Sequence, residues 1–484
     1  MHQILVTIRK NYPFALLWLT ILLFISYFSY VGFNRHDNFH SRRLDLGNME
    51  QTVWNVMRGN GFVLTDPMGN GTISRLAVHA DFLLIVIAPL YRLWQDPRML
   101  ILIQAVVVAM GAIPVYWLAI RYIGNRSTAL LFAVAYLLYP PIQRMVLHDF
   151  HAVALSMALL LFAHWFMEER RYGLFIVTAF FAGLGKETVW MPVALMGLYI
   201  FFFQKNRTVG AICTLVAGGI FYYLMWHAIP AVTYDKQHFA LQYLSEFGEN
   251  QNAIIFSILA NPFAVITTLL RPDRLFYYSQ LLFPVGFLPV FASPYLLFAA
   301  PSMLINALSS NAHMRQIDYQ YTSEIIPFIF VAAIVGYANI RSIVLRYAIF
   351  GGTRVVRWLS LSVIGTAIYA SYLWGELPLT RQDRFFYFIW ALPETSVMKA
   401  IEERIPESAS VSVTNNIGSH FAKRKELYNF PVNAMSSDYA VVRLGDQYAW
   451  PSGNTQRETV DALLGSSDHT LIAHDGEFYA FIKK

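Results

Sequence analysis

The sequence predicts an α-helical polytopic membrane protein carrying a small C-terminal soluble α/β domain. Three observations lead there. Apolar residues make up 56% of the chain and charged residues only 14%, against about 45–50% and about 25% in soluble globular proteins. The apolar residues fall in long blocks separated by short basic segments. Beyond residue 375 the character changes to polar, with the alternation of short strands.

The first block, 13–31, follows the basic pair Arg9-Lys10 and is about the 20 residues a bilayer requires. No small-residue cleavage site follows it, so it reads as an uncleaved helix. Further spans read as 99–120, 127–140, 151–167, 172–184, 189–203, 208–227, 276–291, 294–308, 323–340 and 356–374, about eleven in all by the length criterion. The shortest, 127–140 and 172–184, need tilt, a break or help from their flanks. Residues 82–94 are also apolar but read as an interfacial helix. With that choice and a cytoplasmic N-terminus, Arg121 and Arg126, Arg170 and Arg171, Lys205 and Arg207, and Arg341 to Arg357 all fall inside, as the positive-inside rule asks. The net charge of +6 is then a matter of topology and requires no nucleic acid. The single cysteine, Cys213, excludes an internal disulfide.

The expected organisation is a transmembrane domain over 1–374, with external loops 32–98 and 228–275, and an external soluble domain over 375–484. In the first loop, 44–57 has helical spacing and ends at Gly59-Asn60-Gly61. In the tail, 394–404 reads as a helix, 409–414 and 439–444 as strands, and 469–473 with 477–482 as a hairpin about Asp475-Gly476.

Four stretches then bring ionisable groups to the same predicted face: Asp45; His79 with Asp81; His148-Asp149-Phe150-His151; and Lys186-Glu187. Each alone has a plain explanation. Asp45 suits a helix N-terminus, His79 an interface, Lys186-Glu187 a local ion pair, and the histidine cluster is looser than a zinc site. His164 and His227 read as structural. Convergence is the argument for a site, because charge in a bilayer is expensive without a function or a wet location. Carboxylates and imidazoles suit a divalent cation or acid–base chemistry; Lys186, His79 and the nearby Arg144 or Arg75 suit a phosphate. A phosphate at a membrane rim points to a lipid-linked phosphate.

These residues resemble a known family. Asp45-Leu46-Gly47, Gln51, Trp54-Asn55, Gly59, His79 and Pro89-Leu90-Tyr91, then His148-Asp149-Phe150-His151, Lys186-Glu187, Phe283-Pro284 through Pro301, Ser410–Thr414, Asn415-Asn416 and Phe430-Pro431, are similar to the predicted bacterial and archaeal membrane proteins catalogued as domain of unknown function two-zero-seven-nine. The chain departs from that pattern at Ala80, where a proline is expected close after the histidine, and at Thr188, where an acid is expected. The family in turn resembles the GT-C glycosyltransferases, which take a sugar from a polyprenyl-phosphate carrier on the outer face of the cell membrane and carry an acidic residue in the first external loop. The resemblance implies Asp45 as catalytic base; His79, Lys186, His151 and Arg144 as donor-phosphate ligands; and Asp149, His148 and Glu187 as candidates for a divalent metal, magnesium or manganese. It implies a polyprenyl-phosphate-linked sugar as donor, with a glycan, lipid or protein as acceptor. The rival expectation is a transporter or flippase for a lipid-linked or small polar substrate, which would hold its ionisable groups near mid-membrane on broken helices.

Overall fold

A computed structural model describes residues 2–67, 69–446 and 449–484, with backbone alone over residues 2–11. Met1, Met68, Gln447 and Tyr448 lie outside the described residues, as do the side chains of Arg9 and Lys10, on which the expected orientation rests. The chain forms two compact units: residues 1–28, 104–148 and 152–383 in one, and 29–103, 149–151 and 384–484 in the other.

The first unit is helical. Among the described residues, four helices are long and apolar enough to cross a membrane: Tyr12–Asp37, Pro97–Ile123, Arg207–Ala228 and Ile326–Arg346. Three bent pairs raise this to seven if each is one span. The count of about eleven thus reflects apolar segments, several of which are too short for a crossing as single straight helices. Tyr172–Gly183 has 12 residues, about 18 Å of helix, against a hydrocarbon core of about 30 Å.

The bends have local causes. Arg126–Leu137 and Pro140–Leu147 meet at 41°, where Pro140 and Pro141 begin a new helix because proline lacks the donor needed to continue the old one. Pro272–Val285 and Leu288–Phe298 meet at 113°, across Gly286 and Phe287, both left-handed (φ 62° and 54°). Pro289 and Pro294 then keep residues 288–298 in 3₁₀ turns. The expected span 276–291 is therefore broken. Gln251–Ala260 and Pro262–Leu269, bent by 90°, are apolar helices within the expected loop 228–275, with Phe256, Leu259 and Phe263 largely exposed.

Close packing relies on glycine at a few points. A Cβ at Gly111 would lie 2.2 Å from the Tyr136 hydroxyl, which donates to the Val108 carbonyl at 2.8 Å. A Cβ at Gly185 would lie 1.9 Å from Ser156 Oγ, and Ser156 donates to the Ala182 carbonyl at 2.8 Å. That contact holds the turn that carries Lys186.

The second unit is built on a five-stranded mixed sheet. Val411–Val413 pairs in parallel with Leu427–Asn429 on one side and Tyr439–Arg443 on the other. Phe478–Lys483 then pairs antiparallel with Tyr439–Arg443 and with His469–Asp475. Alternate residues face opposite layers, as the period of two requires. Val411, Val413, Val441 and Ala480 pack with Met398 and Ile401 of helix Thr395–Arg404. Ala440, Val442 and Phe481 pack with Val460 and Leu463 of helix Gly453–Gly465. Phe39, from the first loop, belongs to the former layer.

The first loop is thus part of the tail's core. Arg43, fully buried, donates to the carbonyls of Leu427 (2.5 Å) and Thr65 (3.3 Å) and to Asn48 Oδ1 (3.1 Å). Gln51 Nε2 donates to the Arg424 carbonyl (3.0 Å) and Thr65 Oγ1 (2.8 Å). Leu83–Tyr91, the expected interfacial helix, has nine residues, about 14 Å, with Ile85, Val86 and Leu90 exposed.

Candidate functional site

Asp45 sits in a single π-turn, Arg43–Gly47, which leads into helix Asn48–Met57. Such turns widen a helix locally and recur at functional sites. Here the turn is held from the tail: Asn415 accepts from Arg43 N–H through its carbonyl (2.8 Å) and from Leu44 N–H through Oδ1 (2.9 Å). The Asp45 side chain keeps 28% of its surface exposed, and one carboxylate oxygen lies 3.5 Å from His151 Nε2. His151 Nδ1 is 3.0 Å from the Asp149 carbonyl. A carbonyl only accepts, so Nδ1 carries a proton and Nε2 is the atom turned to Asp45.

Asp149 is buried and ion-paired with Arg35, and its second oxygen accepts from Arg42 N–H at 3.0 Å. Burial pushes its carboxyl above the usual range, Asp45 pushes the same way, and Arg35 and the Arg42 amide pull it back. Its two oxygens are occupied in holding the loop that bears His151 next to the loop that bears Asp45. His79 follows a 3₁₀ turn, Arg75–Ala77, and its N–H bonds the Arg75 carbonyl at 3.1 Å. Arg75 itself is committed to Asp81 through Nε (3.0 Å) and Nη2 (2.6 Å), with both side chains buried. Asp45, His79, Asp149 and His151 therefore share one compact unit.

Arg144, His148, Lys186 and Glu187 belong to the other. The Lys186 ammonium stands 5.9 Å from the Tyr321 ring centroid. Glu324, fully buried, accepts from Thr188 Oγ1 (2.5 Å) and Ser302 Oγ (2.7 Å). Glu187 bonds His238 at 3.0 Å, both buried. The His148 ring meets Tyr319 edge-on at 4.9 Å. Arg144 spends its donors inside the protein, on the Trp374 carbonyl, Asp318 and Gln382, with Glu376 at 3.7 Å. As placed, it is a brace.

Arg35, Asn415, His238 and Glu324 were not singled out from the sequence. Arg35 looks there like a span-flanking cation, and Glu324 lies inside an apolar block. Asn415 stands in a motif shared with the family, and His238 gives no local signal.

The fold is similar to two crystal structures of ArnT from Cupriavidus metallidurans. One, bound to undecaprenyl phosphate, matches with a TM-score of 0.52 at 13% identity, covering 95% of this chain and 97% of that one. The apo structure matches with a TM-score of 0.54 at 11% identity and the same coverage. At such identity the likeness is one of fold alone. A search of curated proteins gives no match. The family model described as a predicted membrane protein, DUF2079, matches residues 35–473. That span takes in all eight residues singled out above, and the chain belongs to this family.

Proposed function

We propose that this protein is a membrane glycosyltransferase of the GT-C type, moving a sugar from a polyprenyl-phosphate carrier to a glycan, lipid or protein acceptor on the outer face of the membrane. The observation that carries the reading is the fold likeness over 95% of the chain to a protein crystallised with undecaprenyl phosphate. The partly exposed Asp45 beside His151 supplies the chemistry such a reaction needs.

In this reading Asp45 accepts the proton of the acceptor hydroxyl. The acceptor oxygen bonds to the anomeric carbon while the bond from that carbon to the phosphate oxygen breaks. The electron pair leaves with the polyprenyl phosphate, and the configuration inverts. His151, with Nε2 turned to the Asp45 carboxylate, orients it. His79, in the same compact unit as Asp45, stabilises the departing phosphate. Arg144, with its donors engaged, shapes the protein rather than binding phosphate. A divalent cation, magnesium or manganese, would want several oxygen ligands. Asp149, bound by Arg35 and Arg42, fits that role poorly, and no step is routed through a metal.

The rival reading, a transporter or flippase, draws on the three bent helix pairs, since transporters build sites at broken helices. One experiment separates the two. Membranes containing wild type or Asp45→Asn are given a polyprenyl-phosphate-linked sugar and an acceptor extract. Transfer that falls about 100-fold or more in the variant supports the enzyme. Wild-type transfer by Asp45→Asn removes Asp45 as the base, and lipid translocation without transfer by the wild type favours the flippase.

A further inference from the structure

A cavity of about 480 Å³ opens in the helical unit, lined by Arg144, Phe276, Gln280, Asp318, Trp374 and Gln382, with Asp273 and Arg315 at its side. The volume is that of a small-molecule site. Its charges are balanced and paired within the protein. Arg144 is bound to Asp318, and Arg315 to Asp273 at 3.0 Å. Arg274 also holds Asp273, at 2.5 Å. With Glu376 also 3.7 Å from Arg144, three guanidiniums face three carboxylates, and each has a partner of opposite charge. What remains is a set of planar polar groups: the Gln280 amide, and the Gln382 amide and Asp318 carboxylate that Arg144 holds. Against them stand two aromatic rings. Trp374 and Phe276 lie 6.3 Å apart at 89°, and Phe276 is 56% exposed.

Fixed planar donors and acceptors beside aromatic faces recognise a ring that has hydroxyls at its edge and C–H groups on its face. From this we infer that the cavity is a binding subsite for a neutral sugar. The inference rests on the reading of the chain as a sugar-transferring enzyme and gives that reading a place for the glycan in the helical unit. Trp374 supplies the stacking platform, Phe276 the second wall, and Gln280 and Gln382 the contacts that fix the hydroxyls.

The test uses the full-length protein in nanodiscs and saturation-transfer NMR with the methyl glycosides of glucose, galactose, mannose and N-acetylglucosamine. At least one glycoside is expected to receive saturation, and inorganic phosphate is expected not to displace it. Phe276→Ala removes an exposed ring and is expected to leave the fold intact, as its unfolding temperature checks. Trp374→Leu retains apolar bulk. Each should weaken binding about fivefold to tenfold. Saturation of no glycoside, equal binding by both variants, or displacement by phosphate overturns the subsite. Binding should be unchanged in Asp45→Asn. Sugar binding here with undiminished transfer by Asp45→Asn would remove the assigned base and leave the subsite standing. Transfer lost in Asp45→Asn without sugar binding here would do the reverse.

Discussion

Arg35 and Asp149, 114 residues apart in sequence, form an ion pair with 8% and 0% of their side-chain surfaces exposed. Removing one partner leaves the other charged and buried, which costs about 3–5 kcal/mol. Arg35→Met and Asp149→Asn should each lower the unfolding temperature in detergent. The double variant Arg35→Met/Asp149→Leu should recover much of the loss, because no charge is then stranded. Equal losses in single and double variants would show that the pair acts by something other than mutual neutralisation.

In the proposed reaction His151 orients Asp45 rather than taking the proton itself, since its Nε2 is turned to the Asp45 carboxylate at 3.5 Å and its Nδ1 to the Asp149 carbonyl. His151→Gln should therefore lower kcat for sugar transfer by about tenfold, less than the roughly 100-fold or greater loss from Asp45→Asn. It should leave KM for the acceptor little changed. A His151→Gln defect as deep as that of Asp45→Asn would make the imidazole the base.

Glu50 is buried and bonded to the Tyr91 hydroxyl at 2.5 Å. Burial pushes its pKa from 4.5 to about 8. A raised carboxyl pKa means that the folded state holds the proton over a range where the unfolded chain has lost it. Its contribution to stability is thus full below about pH 4.5 and declines as pH rises toward 8. Glu50→Gln keeps an acceptor for Tyr91 and cannot ionise. Its unfolding temperature should match wild type near pH 5 and exceed it at pH 8 to 9. Parallel curves across that range would mean that Glu50 is ionised throughout.

How much of this was legible in the sequence follows from the range of each interaction. Apolar blocks announce helices because burial and period are local properties, and Pro140-Pro141 marks a break for the same reason. The hairpin at Asp475-Gly476 was readable from two residues. The three-residue parallel strand Leu427–Asn429 has no turn beside it to signal pairing and went unseen. So did the shared core of loop 29–103 and the tail, which depends on bonds such as Arg43 to Leu427 and Gln51 to Arg424, 384 and 373 residues apart. No local pattern encodes those. At the site, residue type marked Asp45, Asp149 and His151 as candidates. It could not say that Asp149 would meet Arg35, or that Arg144 would be spent on Asp318. A cation near a span end looks the same whether it faces solvent or a carboxylate.

Gly336, in helix Ile326–Arg346, stands where a Cβ would lie 2.0 Å from the Leu288 carbonyl oxygen. The atom met is backbone in a segment already confined by Pro289, so it has little room to yield. Gly336→Ala should destabilise the protein by about 1–3 kcal/mol through overpacking. Gly365, in helix Thr353–Trp374, has nothing within 4 Å of the place a Cβ would take. There the lower helix propensity of glycine is the only term, and Gly365→Ala should stabilise by about 0.5–1 kcal/mol. Unfolding temperatures of the two variants in one detergent give the comparison, since each trades the same atoms in a helix interior. If both shift in the same direction, the close approach of residues 288–298 to Gly336 is not what fixes that bend against its neighbour.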